Sequence, residues 1–368
     1  MQYTSELQSG STVRSTQGAA GNPRLSRLLA GVSELKLIPI ILIVGFIGFM
    51  TTPHFLTKTN IVNNILEVSA VLGIVVIAES IILIGGYFDL SMQSVVGLAP
   101  MLGAWLATPA ALGGAGVELN QYLVLLVILG TGALVGLVNG VLIGRLGLNA
   151  FMVTLAMLIL LQGFTLGISN GQTFSSLPGT MTFLGTAQIA SVPLDVWLVL
   201  VAFVLVGVFM RYHPTGRRIY ALGGNPDAAR AAGIRTLRLT IGMFVVGGLL
   251  AALGGLLFSA RVAAVTANQG QNLIFTVFAA AVIGGISLNG GRGTIIGAGT
   301  GVLLLGMIQN LLVLSNVPSF WIDATYGGII LAALLIGSDQ VQGVLGAAWR
   351  RVLPARRRTG NAVAARSS

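Results

Sequence analysis

Ten apolar runs alternate with polar interruptions along the chain. They cover roughly 37–52, 66–84, 91–108, 121–144, 149–168, 194–211, 239–260, 273–287, 294–314 and 320–337. A helix rises 1.5 Å per residue, so about 20 apolar residues cross the roughly 30 Å hydrocarbon core of a bilayer. The pattern predicts an all-α integral membrane protein with about ten transmembrane helices. Residues 36–338 form one membrane domain, flanked by polar tails at 1–35 and 339–368. The first tail has no apolar core followed by a small-residue cleavage site, so no signal peptide is expected.

Charge orients the pattern. An even number of spans puts both termini on one side. With that side cytosolic, 18 of the 20 basic residues lie inside, all but Lys58 and Arg261. Such a bias is the mark of cytoplasmic loops. Composition agrees with a membrane chain: 55% of residues are hydrophobic and 8% charged, against about 25% charged in soluble domains. The net charge of +10 is spread over several inside segments. It suits topology and anionic lipid head groups rather than nucleic acid.

Several chemistries are excluded. With no cysteine there are no disulfides, zinc thiolates or thiol nucleophiles. There is no GxxxxGK[ST] loop, and the only lysines, Lys36 and Lys58, do not follow a glycine. "GGRGTIIG" has GxGxxxG spacing, which is not the dinucleotide fingerprint. His54 and His213 lie far apart at span ends. No metal cluster or catalytic triad can be assembled, and the chain is not expected to be an enzyme or to bind a cofactor itself.

Two glycine patterns stand out. Gly132, Gly136, Gly140 and Gly144 recur once per turn in the fourth run. Such a face lets helix backbones approach closely, within one chain or between subunits. "LIGGYFDLSMQSVVG" from Leu83 and "VIGGISLNGGRGTIIG" from Val282 echo each other. Each ends one run and starts the next, through internal duplication or through glycine-rich coincidence. The outside loop at 169–193 is rich in Ser, Thr, Gly and Pro, and reads as a partner surface or as a solvated connector.

The loop 212–238 is more telling. Within it, "ALGGNPDAARAAGI" carries a compact helix code. Gly223 and Gly224 free the backbone, Asn225 caps, and Pro226 suits the first helical position. Asp227 favours the positive dipole end, the body Ala229, Arg230 and Ala232 favours helix, and Gly233 stops it. The code predicts about two turns, roughly 10 Å long, too short and polar to span. It reads as an interfacial connector or as a firm object that another protein can push.

Four stretches resemble the permease subunits of bacterial ABC importers in the ribose/xylose/arabinose branch, relatives of the branched-chain amino acid permeases. They are "GRRIYALGGNPDAARAAGI", "FDLSMQSVVG", "NAFMVTLAMLILLQG" and "AAAVIGGISLNGGRGTIIGAGTGVLLLGMIQNLL", in the family's order across roughly 60–338. The resemblance implies ABC importer permease architecture in the bacterial cytoplasmic (inner) membrane. It further implies a permease homodimer, a cytosolic ATPase that uses ATP and Mg as two subunits or a fused tandem, and an extracytoplasmic binding protein. Residues 221–234 then become the coupling helix that docks on the ATPase. The chain departs from the family at Tyr87, where a second glycine is usual, at Met92–Gln93, and at Glu79, an unexpected acid.

Polar groups inside spans often mark a pathway. Glu79, Asp89, Asn139, Asn149, Thr154, Gln162, Gln309, Asn310 and Asp323 fall in the runs. Glu79, Asp89, Asn149, Thr154, Gln309 and Asn310 are the candidates for contact with substrate, and interhelical hydrogen bonding is the alternative for the amides. The expected cargo is a monosaccharide or similar small polar solute. A nucleoside, a branched-chain amino acid or another small metabolite is the alternative within the class. An ion-coupled secondary transporter would use Glu79 and Asp89 for the ion, but has no need of the short helix.

Overall fold

The computed structural model describes residues 37–337. The two tails lie outside the described residues. Every apolar run is helical. The helices are α1 (Ile38–Thr51), α2 (Glu67–Ile84), α3 (Met92–Ala107), α4 (Gln121–Gly144), α5 (Ala150–Ser169), α6 (Gly179–Thr186) and α7 (Leu194–Tyr212). They continue with α8 (Pro214–Gly224), α9 (Pro226–Ala231), α10 (Thr236–Val262), α11 (Leu273–Ile283), α12 (Ile295–Leu314) and α13 (Ser319–Gly337). A π-helical segment, Asn60–Leu66, runs straight into α2. Among the described residues, six helical stretches are long and apolar enough to cross a membrane: Asn60–Ile84, α4, α5, α7, α10 and α12. The helices α1, α3 and α11 are apolar but shorter.

Side chains at the helix starts satisfy the orphan N–H groups. Asn120 accepts from Tyr122 N at 2.9 Å, Asn149 from Met152 N at 3.2 Å and Thr294 from Gly297 N at 3.0 Å. A helix that is apolar all round belongs in the centre, and α2 is buried continuously from Ser69 to Ile84. Helices α7, α8, α10, α11 and α12 pack against it. On the periphery, α1, α4, α5 and α7 turn Phe46, Leu126, Ile159 and Leu205 outward.

The glycine face of α4 packs within the chain, against α10. A Cβ on Gly132 would collide with the Gly248 carbonyl, one on Gly136 with the Phe244 carbonyl, and one on Gly140 would sit 2.8 Å from Ile241 Cα. Gly248 faces Gly132 in return, so the two backbones touch where neither has a side chain.

The ends of the helices gather at two opposite faces. One face holds the π-helical start and Arg261, whose Nε lies 3.7 Å from Glu67 Oε1. The 169–193 loop lies on this face and is docked rather than free. Phe174 and Val265 exchange backbone hydrogen bonds of 2.9 and 2.8 Å. Met181 of α6 is fully buried, and Gly185 abuts the Ala260 backbone. A two-stranded ribbon, β1 (Gln188–Ile189) with β2 (Val192–Pro193), turns through Ala190 and Ser191 at φ 54° and 61°. The opposite face collects 85–91, 145–149, 213–235 and 284–294.

Candidate coupling segment and polar pathway groups

The short helix is built as its code prescribes. Asn225 stays extended (φ −159°, ψ 100°) and its Oδ1 accepts from Ala228 N at 2.9 Å. Pro226 opens the helix where no N–H is required. Asp227 and Arg230, both exposed, form an ion pair one turn apart. Gly233 adopts φ 78°, and Gly233 N and Ile234 N return to the Arg230 and Ala229 carbonyls at 2.9 and 3.1 Å. This is a Schellman stop, which a glycine enters without a Cβ penalty. Ala232 is the C-cap, so the regular helix is six residues long. Ala229 is buried, while Pro226, Asp227, Ala228 and Arg230 are exposed.

The region before it differs from expectation. Gly223 and Gly224 are not a flexible hinge but the last turn of α8, a second helix between α7 and α9. It starts at a His213 cap, whose Nδ1 accepts from Thr215 N at 3.2 Å, followed by Pro214. Gly223 is needed for space. A Cβ there would strike the Ile84 carbonyl, sit 2.7 Å from Gly291 N and 2.9 Å from Gly85 C. Gly224, its neighbour, has nothing within 4 Å.

Gly223 thus sits where the two echoing segments meet. After α2, Gly86 N and Tyr87 N bond to Leu83 O and Ile82 O; after α11, Gly285 N and Ile286 N bond to Val282 O and Ala281 O. Both ends are Schellman stops, with φ 83° at Gly86 and 90° at Gly285. The loops are tied together by Gly291 N to Ile84 O at 2.8 Å, and α8 is tied to the second loop by Tyr220 Oη donating to Gly293 O at 2.8 Å. Tyr87, one of the departures, packs on α10: its hydroxyl accepts from Thr240 at 3.2 Å and its ring meets Phe244 edge-on.

The six candidate pathway residues do not come together. Three of them converge just beyond this junction. The Asp89 carboxylate accepts from Ser91 N at 3.0 Å and from Ser91 Oγ, which also receives Asn139 Nδ2 at 2.8 Å. Glu79 Oε1 accepts from Asp89 N at 3.3 Å, while its Oε2 is buried without a hydrogen-bond partner. Thr154 Oγ1 bonds to its own helix at Ala150 O and reaches Phe88 O at 3.5 Å. Asn149, by contrast, is an exposed cap. Asn310 lies at the other face in a reciprocal amide pair with Asn60, at 2.7 and 3.0 Å, and Gln309 beside it is half-buried.

Several buried polar groups lie beyond the sequence candidates, among them Asn60, Asp195 and Gln269. Gln269 is buried and bridges α3 and α10. Its Nε2 donates to Val96 O and Gly255 O at 3.0 and 3.1 Å, and Ser259 Oγ lies 3.2 Å from its Oε1. With Gln93, Gln162, Asn268 and Gln271 it lines a small amide-rich notch. No run marked it, because Gln269 sits in the loop after α10. Among the described residues, no group of three or more acids or histidines could hold a metal ion.

Residues 61–338 match the family model described as the permease component of branched-chain amino acid transport systems. The chain is 30% identical to the ribose import permease protein RbsC of Haemophilus influenzae, over 85% of this chain and 95% of that one. It is 34% identical to the L-arabinose ABC transporter permease protein AraH of Azospirillum brasilense, over 78% and 82%. It is 32% identical to the autoinducer 2 import system permease protein LsrC of Yersinia enterocolitica, over 81% and 80%. No solved structure matches the chain.

Proposed function

The chain belongs to the family of permease components of branched-chain amino acid transport systems, the membrane subunits of ABC importers, and we propose that its cargo is a monosaccharide or similar small polar solute. As a permease it is not the enzyme of the system; ATP hydrolysis belongs to a separate subunit, and a binding protein is the other partner. The capped α9, rigidly stopped and presenting Asp227, Ala228 and Arg230 outward, is the single observation that carries the coupling role. An ion-coupled carrier has no use for it.

The proposed assembly is a homodimer in the inner membrane. Each chain crosses ten times, with both termini and the α8–α9 segment cytosolic. The basic-residue bias supports this orientation. A cysteine placed at Ser176 is expected to react with an impermeant thiol reagent from outside, and one at Ser367 only after the membrane is opened. The reverse labelling would overturn the ten-span arrangement.

Sugar permeases among the relatives support the cargo. Reconstitution with the ATPase and binding protein tests it. Uptake of a labelled pentose should require ATP and persist when the proton gradient is collapsed. A preference for leucine or a nucleoside over pentoses would replace the cargo, and dependence on the gradient would replace the class.

Glu79, Asp89 and Thr154 form the proposed cytosolic end of the pathway, and Asn149, Gln309 and Asn310 remain candidates elsewhere on it. Glu79→Gln keeps the acceptor for Asp89 N and changes the unpartnered oxygen. It is expected to leave assembly and ATPase binding intact and to change the uptake rate about fivefold, the weight of one hydrogen bond. Unchanged uptake kinetics would reduce Glu79 to a packing role.

A further inference from the structure

We propose that the permease carries a built site for one anionic phospholipid, in the trough between α2, α7 and α12. The trough has a volume of about 540 Å³ and is lined almost wholly by apolar groups, among them Leu200, Phe203, Val204 and Leu303. Gly207 forms part of its floor, where an added Cβ would stand 3.7 Å from Ile296 Cγ1. At the α8 end the trough runs into a second cavity of about 500 Å³ through shared walls at Gly207, Arg211 and Ile296. Here the lining changes to Arg211, Arg217, Tyr220 and Thr294.

The arrangement has the polarity of a lipid. From Arg211 back to Leu200 the helix rises about 16 Å, close to half of a roughly 30 Å hydrocarbon core. One acyl chain of one leaflet fills that length. The two arginines, both exposed, stand where its head group would lie, and guanidinium groups grip phosphate oxygens in pairs. The 20-residue α12 starts at this cavity, with Thr294, Ile295 and Ile296 in its lining, and the positive end of its dipole is a further attraction for an anion. A zwitterionic lipid would fill the trough equally well but would bring no net charge to the arginines. The chemistry therefore selects the anionic head group.

The test is native mass spectrometry of the purified permease after incubation with equal amounts of phosphatidylglycerol and phosphatidylcholine of the same chain lengths. The parent is expected to retain phosphatidylglycerol in preference. Arg217→Gln should lower the preference about fivefold, the effect of one basic residue near a charged lipid surface, and Arg217→Lys should restore most of it. Arg211→Gln combined with Arg217→Gln should remove the preference while leaving phosphatidylcholine bound. Gly207→Trp should fill the trough and lose both lipids. An unchanged ratio in the double variant, or full retention in Gly207→Trp, would overturn the proposal. Displacement of the lipid by millimolar inorganic phosphate would overturn it too, showing a free anion site. So would conversion of a dimer to monomers by Gly207→Trp, which would assign the trough to a second copy of the chain. Unfolding temperatures equal to the parent's show that the arginine variants are folded.

Discussion

An Ala229→Pro permease is expected to insert and dimerise normally, to lose its ATPase on purification, and to import nothing. Position 229 is the first in α9 whose N–H makes a backbone hydrogen bond: it donates to Asn225 O at 3.0 Å. Proline at Pro226 removes nothing, but proline at 229 deletes that bond and drives its ring into the preceding turn, at about 3 kcal/mol or more. The site is also buried, so the added atoms must displace a neighbour. A six-residue helix has no reserve against this, because short helices are marginal even without a breaker. The helices of the membrane domain lie outside the lesion. Pull-down of the ATPase alongside an uptake assay reads the result. Normal binding and parental uptake together would show that α9 is not the coupling helix.

The adjacent glycines of α8 are expected to answer the same substitution in opposite ways. Gly223→Ala puts a methyl group against three backbone atoms from two loops, and backbone cannot rotate aside as a side chain can. Either α8 withdraws or the Gly291–Ile84 hydrogen bond breaks. Overpacking of this kind costs about 1–3 kcal/mol, and here it falls on the junction of α8 with the end of α2 and the 284–294 loop. Uptake should fall about tenfold or more while ATPase binding through α9 persists. Gly224→Ala meets open space and replaces a glycine in a helix, so stability and uptake should stay at parental values or rise slightly. Equal behaviour of the two variants in uptake and thermal unfolding would mean that Gly223 is not a contact point.

How far the sequence could be read depends on how local each cause is. The apolar runs and the Asn225–Pro226–Gly233 code act within a few residues, and both appear in the structure at the expected places. The π-helical start of α2 was missed because Asn60, Asn63 and Asn64 look like loop. Asn60 is in fact satisfied by Asn310, 250 positions away. The first turn of α8 was hidden because histidine is an unfamiliar cap. Gly223 and Gly224 look identical in sequence; only Ile84, Gly85 and Gly291, distant along the chain, tell them apart. The pathway candidates were chosen by residue type alone, and type does not say which end of the bundle a residue occupies. Thus Asn149 and Asn310 were grouped with Asp89 although they stand at a cap and at the opposite face.

The seam between α4 and α10 has a consequence for the descent of this protein. Where Gly132 meets Gly248, each backbone already touches the other and each side chain is already as small as chemistry allows. A larger residue on one side cannot be accommodated by a smaller one on the other. The usual route by which packed pairs drift apart, one partner growing as the other shrinks, is closed at this crossing. A change can enter only if the whole of α10 shifts, and α10 begins five residues after α9. Any lineage that altered the seam would have had to move the start of α10, and with it the short connection from α9, at the same time.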